Sequence, residues 1–228
     1  MRESLLTIPL NEVFEQTGGC PLCRMRDHVE NQVCDYIMGA AMMEPDVRIE
    51  TNAKGFCRVH YEMLLPRNNR LSLALMLNSH LGEQLKSLDK KDAFTKKSPP
   101  PIPTCFVCDK VEWALSHMTK TLFVLFLSDE KFRARFAEQD FICPQHRHFL
   151  LYRAAHALHP KKEYPRFEEA VNDLCRKYMS VLDRDVKTFC DSFDYRNAGR
   201  LSAEGMEEAR LSVQHAIDFL SSRKTPED

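Results

Sequence analysis

"GGCPLC", residues 18–23, is followed by "GFCRVH", residues 55–60, and this pair of stretches decides how the chain is read. Two cysteines two residues apart can turn both sulfurs toward one point. A cysteine and a histidine at the same spacing can complete a tetrahedron around a metal ion. The step occurs again further on: Cys105 and Cys108 in "CFVC" precede Cys143 and His146 in "CPQH". A shift of 85 residues carries the first cysteine pair onto the second, and a shift of 86 carries Cys57 and His60 onto Cys143 and His146. The flanks match as well. Arg48 in "DVRIE" aligns with Arg133 in "KFRAR", and Leu64 and Leu65 follow the first histidine much as Leu150 and Leu151 follow the second. The pattern reads as an internal duplication.

Two matched CxxC…CxxH sets specify far more than a lone CxxC. Three thiolates and an imidazole suit zinc best, whereas an iron–sulfur cluster prefers four cysteines. The expected cofactors are two zinc ions, held by Cys20, Cys23, Cys57, His60, Cys105, Cys108, Cys143 and His146. Pairing is expected within each repeat, Cys20 and Cys23 with Cys57 and His60, because the intervening helix and return loop suffice to close it. Pairing across the repeats is the alternative. In "CPQHRH" either His146 or His148 is a candidate; the alignment and the i, i+3 spacing select His146. Arg48 and Arg133 are the candidates to neutralise the net negative charge of a zinc with three thiolates.

The 228 residues bear 32 basic and 33 acidic side chains, so charge offers no global attraction to nucleic acid or an anionic membrane. The basic residues Lys131, Arg133 and Arg135, and those between His146 and Lys162, read as solvated helix surface. No stretch approaches the roughly 20 apolar residues of a membrane span. The start, "MRESLLTIPLNEVFEQ", lacks the pattern of a secretory signal. The expected location is the cytoplasm, where thiols stay reduced, and nine cysteines, an odd number, do not make a complete disulfide framework.

Seven glycines and few β-branched residues favour helix. The expected fold is all-α. Leu22, Val29, Val33, Tyr36, Ile37 and Ala40 share one face of a helix from about Cys23 to Met43. Val111, Leu115, Met118, Leu122 and Leu125 mark another. Ala74, Leu77, Leu81, Leu85 and Leu88 form a stripe on a segment apolar enough to be mostly buried. Phe167, Val171, Leu174, Tyr178, Leu182, Val186 and Phe189 mark a long helix. Met206, Ala209, Val213, Ala216, Ile217 and Leu220 mark the last one, with Ser202 as its N-cap.

The organisation read from this is a first zinc-clamped unit with its following apolar helix (residues 1–89), a Pro/Lys linker (90–104), a second zinc-clamped unit (105–160), and C-terminal helices packing on both (161–228), all within one domain. Cys34, Cys175 and Cys190 read as helix-packing cysteines. His28, His80, His117, His156, His159 and His215 read as scattered surface or packing histidines.

The stretches "CPLC", "GAAMMEPDVRIETN", "GFCRVHYEMLL" and "RLSLALMLNSHL", continued by "CFVC", "FICPQH" and "FDYRN", resemble an uncharacterised family of clostridial-type bacterial proteins, a domain of unknown function. The resemblance spans nearly the whole chain. It implies a bacterial cytoplasmic protein and carries over no activity or substrate.

Three functions compete at this point. The first is an interaction, scaffold or regulatory protein with two structural zincs and an unidentified protein partner. The second is a helical enzyme or small-molecule binder, its cleft near "FDYRN" with Asp194, Tyr195 and Arg196. The third is a thiol sensor that releases zinc on oxidation. The residue pattern leans away from catalysis, because four protein ligands leave no open coordination position.

Overall fold

A computed structural model describes residues 10–88, 104–158, 161–194, 196 and 202–222. Among them every regular element is a helix: α1 (Leu10–Glu15), α2 (Pro21–Met38), α3 (Pro45–Lys54), α4 (Arg58–Leu64), α5 (Arg70–Leu88), α6 (Phe106–Ser128), α7 (Glu130–Ala137), α8 (Pro144–Ala157), α9 (Tyr164–Ser192) and α10 (Ala203–Ser221). Short 3-10 turns at Ala40–Met43 and Lys161–Glu163 precede α3 and α9. The all-α expectation is met. The expected linker lies outside the described residues, apart from Thr104.

The chain divides into two compact units. The described residues of Arg26–His117 form the first; those of Ile8–Met25 and Met118–Asp228 form the second. The start of α2 and the end of α6 therefore belong to the second unit, and the remainder of each helix belongs to the first.

Local chemistry sets the helix limits. Pro45 and Pro144 sit in the first turns of α3 and α8, where a missing N–H costs nothing. The Asp129 carboxylate accepts from the N–H groups of Lys131 and Phe132 to cap α7. Ser202 caps α10 as expected, accepting from Gly205 N–H at 3.0 Å. The expected helix from Cys23 to Met43 instead ends at Met38. Gly39 favours a break there, and Pro45 drives Glu44 into an extended conformation.

The first unit buries Val29, Val33, Ile37, Leu64, Leu73, Met76, Phe106 and Val111. The second is richer in aromatic side chains. Phe14 lies 5.0 Å from Phe132 and 5.6 Å from Phe136, and Phe126 meets Phe136 and Phe167 edge-on. Phe141, Tyr178 and Phe219 form a further cluster.

The expected burial of the α5 stripe is corrected, whereas the expected last helix is present as α10. On α5 the buried residues are Ser72, Leu73 and Met76, while Leu81, Leu85 and Leu88 are exposed. The helix leans on α3 by its other face: Arg48 bonds the Leu75 carbonyl and the Ser79 hydroxyl, and His80 Nδ1 lies 2.7 Å from the Asn52 carbonyl. On α10 the buried residues are Ala209, Ser212 and Phe219, while Met206, Val213, Ile217 and Leu220 are exposed. The Phe219 ring, packed against the stacked pair Phe141 and Tyr178, sets that rotation, and the small Ala209 and Ser212 share its buried side.

Candidate metal centres

The eight cysteine and histidine residues gather into two groups, each inside one unit. Cys57, His60, Cys105 and Cys108 meet in the first; Cys20, Cys23, Cys143 and His146 meet in the second. The pairing thus crosses the repeats, and the expectation of pairing within each repeat is overturned. The outer CxxC closes with the last CxxH, and the two inner motifs close with each other. His146 is the histidine of its group; His148 is exposed.

Backbone geometry explains why the motifs meet this way. Gly55 ends α3 at φ 64°, a conformation that disfavours any side chain, and a Cβ there would lie 2.6 Å from the His80 ring. Its carbonyl accepts from Phe106 N–H at 3.0 Å, which brings the start of α6, and Cys105, against Cys57. In the second unit Gly18 and Gly19, at φ 98° and 78°, turn the chain into α2, and Gly19 N–H donates to Asp140 at 3.0 Å. The Arg24 guanidinium locks that turn, donating to the carbonyls of Val13, Gln16, Gly18 and Gly19 and to Gln139 Oε1.

Within each group the ligand atoms lie within 4.8 Å of one another. Both histidines present Nδ1 to the sulfurs. In the first unit His60 Nδ1 is 3.1 Å from Cys57 Sγ, 3.2 Å from Cys105 Sγ and 3.5 Å from Cys108 Sγ, and the Cys57 and Cys108 sulfurs are 3.9 Å apart. In the second unit His146 Nδ1 is 3.6, 3.3 and 3.1 Å from the sulfurs of Cys20, Cys23 and Cys143, and the Cys23 and Cys143 sulfurs are 3.7 Å apart. Metal bonds of about 2.3 Å to sulfur and about 2.0 Å to nitrogen at tetrahedral angles would place sulfurs about 3.8 Å apart and sulfur about 3.5 Å from nitrogen. The donor set fits zinc in both spacing and chemistry, and all of these cysteines are free.

The side chains divide their protons unevenly, one thiol of each group being held low while the imidazole holds its proton. Burial pushes the Cys105 thiol up, but the His60 hydrogen bond and the N–H groups of Cys108 and Cys57 outweigh it and hold the thiol down at about 6. Burial opposes protonation of His60, yet Cys105 and Glu30 raise it to about 10. His146 is likewise opposed by burial and raised to about 9 by Cys143 and Cys20. Hydrogen bonds from Cys20 and Cys23 hold Cys143 far below the usual thiol range, while those with Cys143 and Cys20 push Cys23 up. Each group therefore shares its protons among sulfur and imidazole, and a divalent cation can displace them.

The surroundings differ. Behind His60, Nε2 faces Glu30 Oε1 at 3.4 Å, an ion-pair separation longer than an aligned hydrogen bond, with both side chains buried. Behind Cys143 stands Ser222, buried in the left-handed conformation at the end of α10. Its hydroxyl lies 2.9 Å from Cys143 Sγ and its carbonyl 3.6 Å from Cys23 Sγ. The expected neutralising arginines lie elsewhere: Arg48 holds α5, and Arg133 donates to the carbonyls of Phe126 and Leu127. In the second unit Arg24 has that position and interacts electrostatically with Cys20 and Cys23. Its place directly after "CPLC" was a usable signal. A carboxylate at 30, next to Val29 on the apolar face of α2, was a weaker one. Nothing local pointed to Ser222.

Cys34 and Cys175 are buried, and burial pushes the Cys34 thiol up to about 11; Cys190 is exposed. Asp194 and Arg196 pair with each other, while Tyr195, Asn197 and His159 lie outside the described residues. An open cleft of about 360 Å³ lies between α8 and α9, lined by Pro144, Arg147, Asn172, Cys175, Arg176 and Met179. No helix among the described residues is long and apolar enough to cross a membrane.

No curated protein and no solved structure matches the chain. A family model does match it, over residues 1–227, and the chain accordingly belongs to a family of unknown function (DUF6062).

Proposed function

We propose that this is a two-zinc helical protein whose metal centres are structural, and that it works through its surfaces as an interaction, scaffold or regulatory protein rather than through catalysis at the metal. One observation carries the reading: two Cys3His groups have ligand atoms at the spacing of a closed tetrahedral shell. Four protein ligands leave no position for water or substrate. Each centre joins the start of a CxxC helix to the start of a CxxH helix, α6 to α4 and α2 to α8.

Elemental analysis of protein purified anaerobically without chelators tests this. Two zinc ions per chain are expected, falling to one in Cys57→Ser, in Cys105→Ser and in His146→Ala, with His148→Ala unchanged. A compact, helical chain without transition metal would refute the reading.

A specific observation favours a second reading for the first unit alone. Cys108 is exposed and Cys57 half-exposed, so peroxide can reach them. Oxidation would join two thiolates as a disulfide, reduce peroxide to water and expel the metal. Peroxide with a zinc-responsive dye tests it: rapid release of one equivalent supports a sensor, and slow thiol oxidation with zinc retained rules it out.

A further inference from the structure

The exposed face of α5 has a pattern of its own. Leu71, Ala74, Asn78, Leu81, Leu85 and Leu88 recur at alternating intervals of three and four residues, the a and d positions of a heptad. All six are exposed; Leu71, Leu81, Leu85 and Leu88 are 66%, 58%, 64% and 78% accessible. The residues packed against the chain, Ser72, Leu73 and Met76, occupy b, c and f. The helix therefore docks by its back and offers a two-stranded coiled-coil seam to solvent. Isolated exposed leucines need no explanation, but a seam in register over the length of a helix does.

The geometry points to a second copy of this chain as the occupant, pairing α5 with α5 in parallel and in register. Asn78 selects that partner. It takes an a position, where a lone asparagine tolerates its like across a parallel dimer and imposes register. An antiparallel pairing would put Asn78 opposite Leu81 and leave its amide without a partner. The flanks add little opposition, since the e and g positions through residue 84 bear Leu75, Leu77, Gly82 and Gln84 with Arg70 as the one charge. A Cβ at Gly82 would meet nothing within 4 Å. Packing among the described residues gives no reason for a glycine within that helix, and on the seam it leaves room for Leu77 of the second copy. The apolar area offered is on the order of 600 Å² per copy, roughly 1,200 Å² for the pair, which reaches the range of specific interfaces.

Sedimentation equilibrium of the full, metal-loaded chain between 1 and about 100 µM tests this, with zinc content measured alongside. A dimer is expected. Leu81→Lys with Leu85→Lys should raise its dissociation constant about 100-fold or more while leaving zinc content and helicity intact. Asn78→Leu should tighten association and broaden it to higher oligomers. A chain that stays monomeric, whether because a helix of another protein or residues 1–9 of this chain cover the seam, overturns the inference. A dimer unaffected by the double lysine variant overturns it too. Loss of zinc from the unmodified chain would count against the metal assignment and not against this pairing.

Discussion

The first unit leaves its ligand group open to solvent at Cys108 and half-open at Cys57; the second buries Cys20, Cys143 and His146 and half-buries Cys23. Around them the balance differs in the same sense. The second unit also holds the Phe14, Phe126, Phe132, Phe136 and Phe167 cluster, and Ser222 stands against Cys143. The first has a core of aliphatic residues around Phe106 and a single buried carboxylate behind its histidine. The same donor set is thus more enclosed, in an aromatic-rich unit, in one case and more open, in a mainly aliphatic one, in the other. Metal should matter to both units, but the first should depend on it more.

The most severe test is metal removal. Structural zinc contributes about 10–16 kcal/mol in small domains. Chelation should therefore abolish hydrogen-exchange protection across the described residues of Arg26–His117 while α7 and the first half of α9 retain much of theirs. Simultaneous loss in both units would break the comparison.

Next in size, Phe136→Ala should cost about 3–5 kcal/mol, read as a lower urea midpoint, with both zinc ions still bound. An equal loss of zinc would mean that the aromatic cluster and the metal are not separable supports.

Smaller still, Glu30→Gln should weaken one of the two zinc ions about 10- to 100-fold in competition with a chromophoric chelator. The affected ion should be the one released together with Cys57→Ser. A loss at the other ion, or none, would remove Glu30 from its orienting role. At the bottom of the scale, Ser222→Ala should cost about 1 kcal/mol through the lost hydrogen bond to Cys143 and leave the first unit unchanged. Alkylation by iodoacetamide should reach Cys108 first among the six cysteines of the two groups, and faster labelling of Cys20 or Cys143 would reverse the assigned order of exposure.

Much of the candidate site was legible because its chemistry is local. CxxC and CxxH spacing follows from how a helix start aims two side chains, and the N-cap positions of Cys57 and Cys143 reflect that directly. Helix content was legible for a similar reason: Leu22, Val29, Val33 and Ile37 repeat at the helical period, and all are fully buried. The buried faces of α5 and α10 were not. Periodicity reports that a stripe is apolar, not what covers it, and Phe219 and the contacts of α5 with α3 settle the rotation through residues far away in sequence.

The eight candidate ligands, their division into CxxC and CxxH, and the helical character of the chain were determined by the sequence alone, because spacing and period are properties of neighbouring residues. Which motif closes with which was decided only by the tertiary structure. The Gly55 turn and its bond to Phe106 bring Cys57 to Cys105, and the Gly18–Gly19 turn bonded to Asp140 brings Cys20 to Cys143. A ligand group closes wherever the packed backbone delivers four donor atoms to one point, and distance along the chain has no part in that choice.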